Sequence, residues 1–239
     1  MPRIRLGMLT PSSNTALEPC TAAMLADLPD VTAHFGRFRV TQISMDADAQ
    51  AQFSLEPMLA AADLLADAKV DAICWNGTSA GWLGFEQDDR LCAAIAERTG
   101  IEACSAVRGM NELLARQDAR TFGLVSPYTD EIQDRIIANY AANGWECTAD
   151  RRLQISENFA FATVPEDTIE RLCREVAATG PDAILIYCTN MAGARVATTV
   201  ERETRVPVFD STAAALWASL VAAGGDPGRI TGWGGIFER

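Results

Sequence analysis

The sequence is short of the groups that most often carry proton and metal chemistry: histidine occurs once in 239 residues. Zinc sites built on several histidines are thereby excluded, and any serine–histidine or cysteine–histidine couple would rest on His34 alone. His34 lies in the strand-like stretch VTAHFGRFRV and reads as a structural residue. Positive charge is also in deficit. Lys and Arg number 20 against 32 Asp and Glu, a net charge of −12, which opposes nucleic acid or an anionic membrane as partner. No apolar run reaches bilayer length and no signal peptide precedes the first strand-like segment, so a cytoplasmic protein is expected. Nucleotide signatures are missing too: no G-x-G-x-x-G follows the first strand, and there is no G-x-x-x-x-G-K-[ST]. The 7 cysteines (20, 74, 92, 104, 147, 173, 188) are odd in number and lack C-x-x-C spacing, against a disulfide framework. The acidic clusters Glu86, Asp88, Asp89 and Asp46, Asp48 read as solvated faces rather than metal sites. Thiols, carboxylates, hydroxyls and backbone dipoles remain for chemistry.

What is present is an alternation of short apolar runs with Ala/Leu-rich helical stretches. Strands are predicted at 3–9, 36–42, 70–75, 101–104, 121–126, 147–154, 182–187 and 206–209. Helices are predicted at 15–27, 55–68, 86–99, 106–116, 129–143, 166–178, 191–204 and 212–223. Continuous apolar strands separated by helices indicate α/β architecture with parallel sheet. The order of elements repeats. LGMLTPSSNT (6–15) resembles FGLVSPYTDE (122–131), VDAICWNGTSAG (70–81) resembles PDAILIYCTNMAG (181–193), and IEACSA (101–106) resembles VPVFDS (206–211). The offsets are 116, 111 and 105 residues, shrinking slightly as loop insertions would produce. Two similar halves follow, residues 1–115 plus 213–239 and residues 116–212, facing each other across a cleft. The polar loops 10–15, 76–81, 126–131 and 188–193 fall at strand C-termini, where ligands bind in such sheets.

The loop Cys188-Thr189-Asn190-Met191-Ala192-Gly193 places a thiol between a strand end and a helix start. Backbone donors and the helix dipole there are expected to favour thiolate. Such a cysteine exchanges a proton with carbon or attacks an electrophile; a small buried hydrophobe is the bland alternative. The matching loop Asn76-Gly77-Thr78-Ser79-Ala80-Gly81 offers hydroxyls and N–H groups for a carboxylate or oxyanion, or forms a plain capped turn. Thr10-Pro11-Ser12-Ser13-Asn14-Thr15 has the same two readings, and Tyr128 adds a phenol. Cys74, inside a strand, reads as core.

The segments GMLTPSSNTALEP, GTS (77–79), SPYTDE (126–131), SENFA (156–160) and the Cys188 loop together resemble the maleate cis-trans isomerase and arylmalonate decarboxylase family of the aspartate/glutamate racemase superfamily. The resemblance runs from Leu6 to the C-terminal GWGGIFER. It implies two Rossmann-like (flavodoxin-like) halves with parallel sheets, an active site in the interdomain cleft and no cofactor. Racemases and maleate isomerases of this superfamily use two cysteines; here the second position is Cys188 and the first falls on Gly77. The decarboxylase branch carries glycine at the first position. By similarity to it, Thr78, Ser79 and Tyr128 bind the retained carboxylate and Cys188 protonates the carbanion. The PSSNT loop looks like the isomerase branch, in which Asn14 and the residue matching Asn158 contact substrate carboxylates. Thr189 and Asn190 complete the candidate set.

Three functions follow as expectations. The first is decarboxylation of a small malonate-like dicarboxylate against an apolar wall of Trp75, Trp82 or Met191. The second is isomerisation or racemisation using Cys188, and the third is non-catalytic binding of a small molecule. Ala- and Trp-rich helices are compatible with a homo-oligomer.

Overall fold

Strands with unbroken apolar sequence need cover on both faces, and the chain supplies it twice. In the computed structural model, which describes residues 3–46, 49 and 51–238, the strands form two four-stranded parallel sheets. The first comprises β1 (Ile4–Pro11), β2 (Val31–Phe38), β3 (Ala72–Trp75) and β4 (Ala103–Ser105) in the order β2-β1-β3-β4. The second comprises β5 (Thr121–Ser126), β6 (Glu146–Arg152), β7 (Ala183–Ile186) and β8 (Val208–Asp210) in the order β6-β5-β7-β8. The two orders are the same pattern, so the repeat read from sequence is a repeat of topology. In the central strands Leu6, Met8, Leu9 and the whole of β7 are fully buried.

Around the first sheet lie α1 (Leu17–Met24), α2 (Leu55–Asp67), α3 (Ala80–Leu83), α4 (Glu86–Thr99) and α5 (Ala106–Arg116). Around the second lie α6 (Asp130–Ala142), α7 (Asn158–Phe161), α8 (Glu166–Ala177) and α9 (Gly193–Thr204). A final helix, α10 (Ser211–Ala222), starts at the end of β8 yet packs on α5, β4 and β3. Its residues Ser211–Leu220 are all buried, which explains why it is apolar all round. Asp210 caps it by accepting from the N–H groups of Thr212 and Ala213. Among the described residues no helix is long and apolar enough to cross a membrane.

Two expectations are corrected. The strand placed at 36–42 is Val31–Phe38, because Val31 to Phe38 pair residue by residue with Ile4 to Pro11. The chain after Phe38 leaves the sheet and crosses to the other half, where the N–H of Ile43 donates to Ser156 O and that of Asn158 to Thr41 O. Glu86, Asp89 and Asp46 are exposed as expected, but Asp88 is 2% exposed on the inner face of α4. Burial pushes its carboxyl up to about 7, against a hydrogen bond from Ser105 and the charge of Arg108. Asp48 lies outside the described residues.

Candidate active site

β1, β3, β5 and β7 end at Pro11, Trp75, Ser126 and Ile186, so the four polar loops leave from the carboxyl ends of the paired central strands. The loops meet around a cavity of about 20 Å³, lined by Gly77, Thr78, Ser79, Tyr128, Asn158, Cys188 and Thr189. Pro11, Val40, Ile43, Phe53, Trp75 and Trp82 complete the wall. That volume holds about one water. The segment after Phe38, hydrogen-bonded to residues 156–158, forms part of this wall through Val40 and Ile43.

Cys188 is 2% exposed. The N–H of Asn190 donates to its sulfur at 3.4 Å, and the Tyr128 hydroxyl lies beside it. These donors favour thiolate, but burial outweighs them and pushes the thiol up to about 12; the charge of Asp210 adds to the rise. The expected thiolate is therefore corrected to a neutral thiol. On the opposite side of Tyr128, its hydroxyl pairs with Thr78 Oγ1 at 2.6 Å. Tyr128 thus shares the cavity wall with both the Thr78 turn it bonds and the Cys188 sulfur. Desolvation raises its own pKa far above that of a free phenol, so it stays a donor.

The Thr78–Ser79 turn is held from across the cleft. It runs into α3, whose carbonyls at Ala80 and Gly81 accept from the Asn139 side chain at 3.1 and 3.2 Å. Gly81 sits so close to Tyr187 that a Cβ there would come within 2.5 Å of the phenolic oxygen. A glycine is needed for that approach.

Gly77 is constrained more tightly still. A Cβ on it would fall inside the Trp75 indole, against Cζ2, Cε2 and Cη2. The volume that a first-half cysteine side chain would occupy is filled by that ring, and Trp75 is 1% exposed and packs tilted against Phe38 with ring centroids 5.2 Å apart.

Four of the candidates spend their polar atoms joining the halves. Asn14 Nδ2 donates to Thr189 Oγ1 at 3.3 Å, and Thr189 Oγ1 donates to Asn76 O at 2.9 Å. Asn14 Oδ1 accepts from the N–H groups of Ala16 and Leu17 at the start of α1. Asn190 Oδ1 accepts from Thr15 and Ala16, and its Nδ2 donates to Asn158 O. Asn158 Nδ2 donates to Ser13 Oγ at 2.7 Å. Of these, Asn158 and Thr189 line the cavity, while Asn14 and Asn190 stand behind it. Met191, expected as apolar wall, is outside the lining, whereas Trp75 and Trp82 are in it.

Trp82 is more than apolar wall. Its ring packs edge-on against Tyr128 at 5.4 Å, and its buried Nε1–H has no acceptor among the described residues. Sequence reasoning missed this donor because an unpaired indole N–H carries no sequence mark; the only cue was a tryptophan five residues beyond Gly77. His34 stays away from the cavity and bonds to Thr32 Oγ1. Among the described residues, no group of three or more His, Cys, Asp or Glu is arranged to hold a metal ion.

Comparison with known proteins gives a consistent picture. The sequence model of the family described as arylmalonate decarboxylase matches residues 6–237. An arylmalonate decarboxylase from Bordetella bronchiseptica is 26% identical over 237 residues, covering 98% of this chain and 96% of its own. A maleate isomerase from Pseudomonas putida is 27% identical, covering 93% of each chain. Among solved structures, a Nocardia farcinica maleate cis-trans isomerase bound to TRIS superposes with a TM-score of 0.88 at 24% identity, covering 98% of this chain and 97% of its own. An unliganded arylmalonate decarboxylase gives 0.81 at 25% identity, with 98% and 99% covered. These likenesses embrace both a decarboxylase and isomerases, in nearly equal measure.

Proposed function

Since the chain belongs to the arylmalonate decarboxylase family, we propose that it is a cofactor-independent decarboxylase of a substituted malonate-like dicarboxylate, with Cys188 as the proton donor. The observation that carries this reading is the pairing of a neutral Cys188 thiol with a first-half loop whose cysteine position is sterically filled by Trp75. An acid is available, and among the described residues no first-half cysteine lines the cavity to attack a double bond.

In this reading the retained carboxylate is held by Thr78, Ser79, Tyr128 and the free indole N–H of Trp82. The departing carboxylate lies against Val40, Ile43 and Phe53, where it is poorly solvated. The bond between the α-carbon and that carboxylate breaks, CO2 leaves, and the electron pair stays on the α-carbon, delocalised as an enediolate onto the retained carboxylate. Donors already aimed at those oxygens stabilise the growing charge; losing one such donor typically costs about 2.7–4 kcal/mol of barrier. The Cys188 S–H then transfers its proton to the α-carbon, and the resulting thiolate recovers a proton from water. A thiol with a pKa near 12 is protonated before the step, as a donor to carbon must be.

The test is turnover in deuterated water with a substituted malonate and, separately, with maleate. CO2 release with one deuteron placed on the α-carbon is expected, and Cys188→Ser should lower kcat by at least about 100-fold. Interconversion of maleate and fumarate without CO2, or full activity in Cys188→Ala, would overturn the reading.

A further inference from the structure

The reaction cavity of about 20 Å³ has no room for a substrate's third substituent, yet a second cavity of about 140 Å³ adjoins it. Phe53, Trp75 and Ser79 line both, so the partition between them is one layer of side chains. The rest of its wall is Leu55, Met58, Leu83 and Leu91 together with the polar Gln87, Asp88 and Arg90, and its volume is close to the roughly 150 Å³ that accommodates benzene in an apolar cavity.

Of the polar wall residues, Gln87 and Arg90 are exposed, whereas Asp88 is buried. Asp88 is 2% exposed, Ser105 lies beside its carboxyl group, and Oδ2 has no partner among the described residues. A buried carboxyl oxygen left without a donor is destabilising, and such groups call for an explanation. The explanation offered by this geometry is a donor that arrives with the ligand.

We propose that this second cavity is the subsite for the non-reacting substituent of the substrate, and that Asp88 selects an aromatic ring bearing a hydroxyl donor over the bare ring. The ring passes the Ser79 hydroxyl and the edge of Phe53, fills the space between Met58, Leu83 and Leu91, and presents its O–H to Asp88 Oδ2. The carboxyl end stays with Thr78 and Tyr128. The inference takes the placement of the carboxyl end from the proposed function, but it concerns binding and does not depend on which bond reacts.

The experiment is calorimetric binding of 4-hydroxyphenylacetate, phenylacetate and malonate, which needs no turnover. The hydroxylated acid is expected to bind at least about tenfold tighter than phenylacetate to the unaltered protein, the range open to a site built around a ligand hydroxyl. Asp88→Leu should abolish that preference while leaving malonate binding unchanged. Leu83→Trp, on a half-buried residue that fills the cavity, should weaken both aromatic acids and spare malonate. Equal affinities for the two aromatic acids, failure of both to bind while malonate binds, or undiminished aromatic binding in Leu83→Trp would each overturn the subsite, even if Asp88→Leu does not fold. The expected preference without CO2 release from the matching malonates would instead sink the reaction assignment and leave the subsite standing.

Discussion

At position 188 two effects act in opposite directions: the Asn190 N–H and the Tyr128 hydroxyl favour a thiolate, while loss of water favours the thiol. Desolvation prevails, and the sulfur is expected to react slowly as a nucleophile at neutral pH. Iodoacetamide at pH 8, followed by peptide mass spectrometry, should modify Cys188 more slowly than free glutathione; faster labelling would contradict the neutral thiol. Position 77 offers a second test at this scale. Gly77→Ala pushes a methyl into the Trp75 ring, so unfolding should become easier by about 1–3 kcal/mol, the usual cost of overpacking. Adding Trp75→Leu should recover part of that loss in denaturant titration, because the two changes share one contact. Trp82→Phe keeps the ring packing against Tyr128 but removes the unpaired N–H; it should raise KM or lower kcat while leaving the melting temperature near its original value.

The strand-end loops owe their shape to partners in the opposite half as much as to their own residues. The 10–15 loop is held by Asn190, and the start of α1 by Asn14 and Asn190 together. Asn190→Ala therefore strips the acceptor from Thr15 N–H and one of the two acceptors from Ala16 N–H, and separates Asn190 from Asn158. A loss of about 1–3 kcal/mol in unfolding free energy is expected, by analogy with other buried hydrogen-bond deletions. Ser79→Ala makes the contrast: Ser79 lines both cavities, so its loss should appear in kinetics and leave thermal unfolding nearly unchanged. A fall in stability for Ser79→Ala, with none for Asn190→Ala, would reverse these assignments.

For the molecule as a whole, the buried acids set how stability changes with pH. Asp88 and Asp210 are both raised to about 7 by burial, from the usual carboxylate value of 3.8. Between those two pH values the folded chain holds protons that the unfolded chain has released, so stability falls as pH rises from about 4 to about 7. The slope is at most about 1.4 kcal/mol per pH unit for each group. Asp210→Asn retains an acceptor for the start of α10 and should flatten that slope in urea titrations at pH 5 and 7. A second decline is expected above pH 9. Cys20, Cys92, Cys147, Cys173 and Cys188 are raised to about 12, so they remain thiols in the fold after unfolded thiols have ionised. Unchanged stability between pH 8 and pH 10 would contradict the burial of these sulfurs.

The periodic and local features of this protein were legible in its sequence. The α/β alternation, the repeated strand–loop–helix pattern and the four strand-end loops follow from hydrophobic spacing and turn chemistry, which act over a few residues. So did the gathering of Thr78, Ser79, Tyr128 and Cys188, because equivalent loops of two like sheets meet at their carboxyl ends. Other properties depend on neighbours far away in the chain. Tyr128 meets Thr78 across 50 residues and Asn14 meets Thr189 across 175. The protonated state of Cys188, the ring that fills the side of Gly77, the free N–H of Trp82 and the interior position of Asp88 all arise from how the halves and helices exclude water. Solvent exclusion is a property of the assembled volume, and tertiary structure alone determines it.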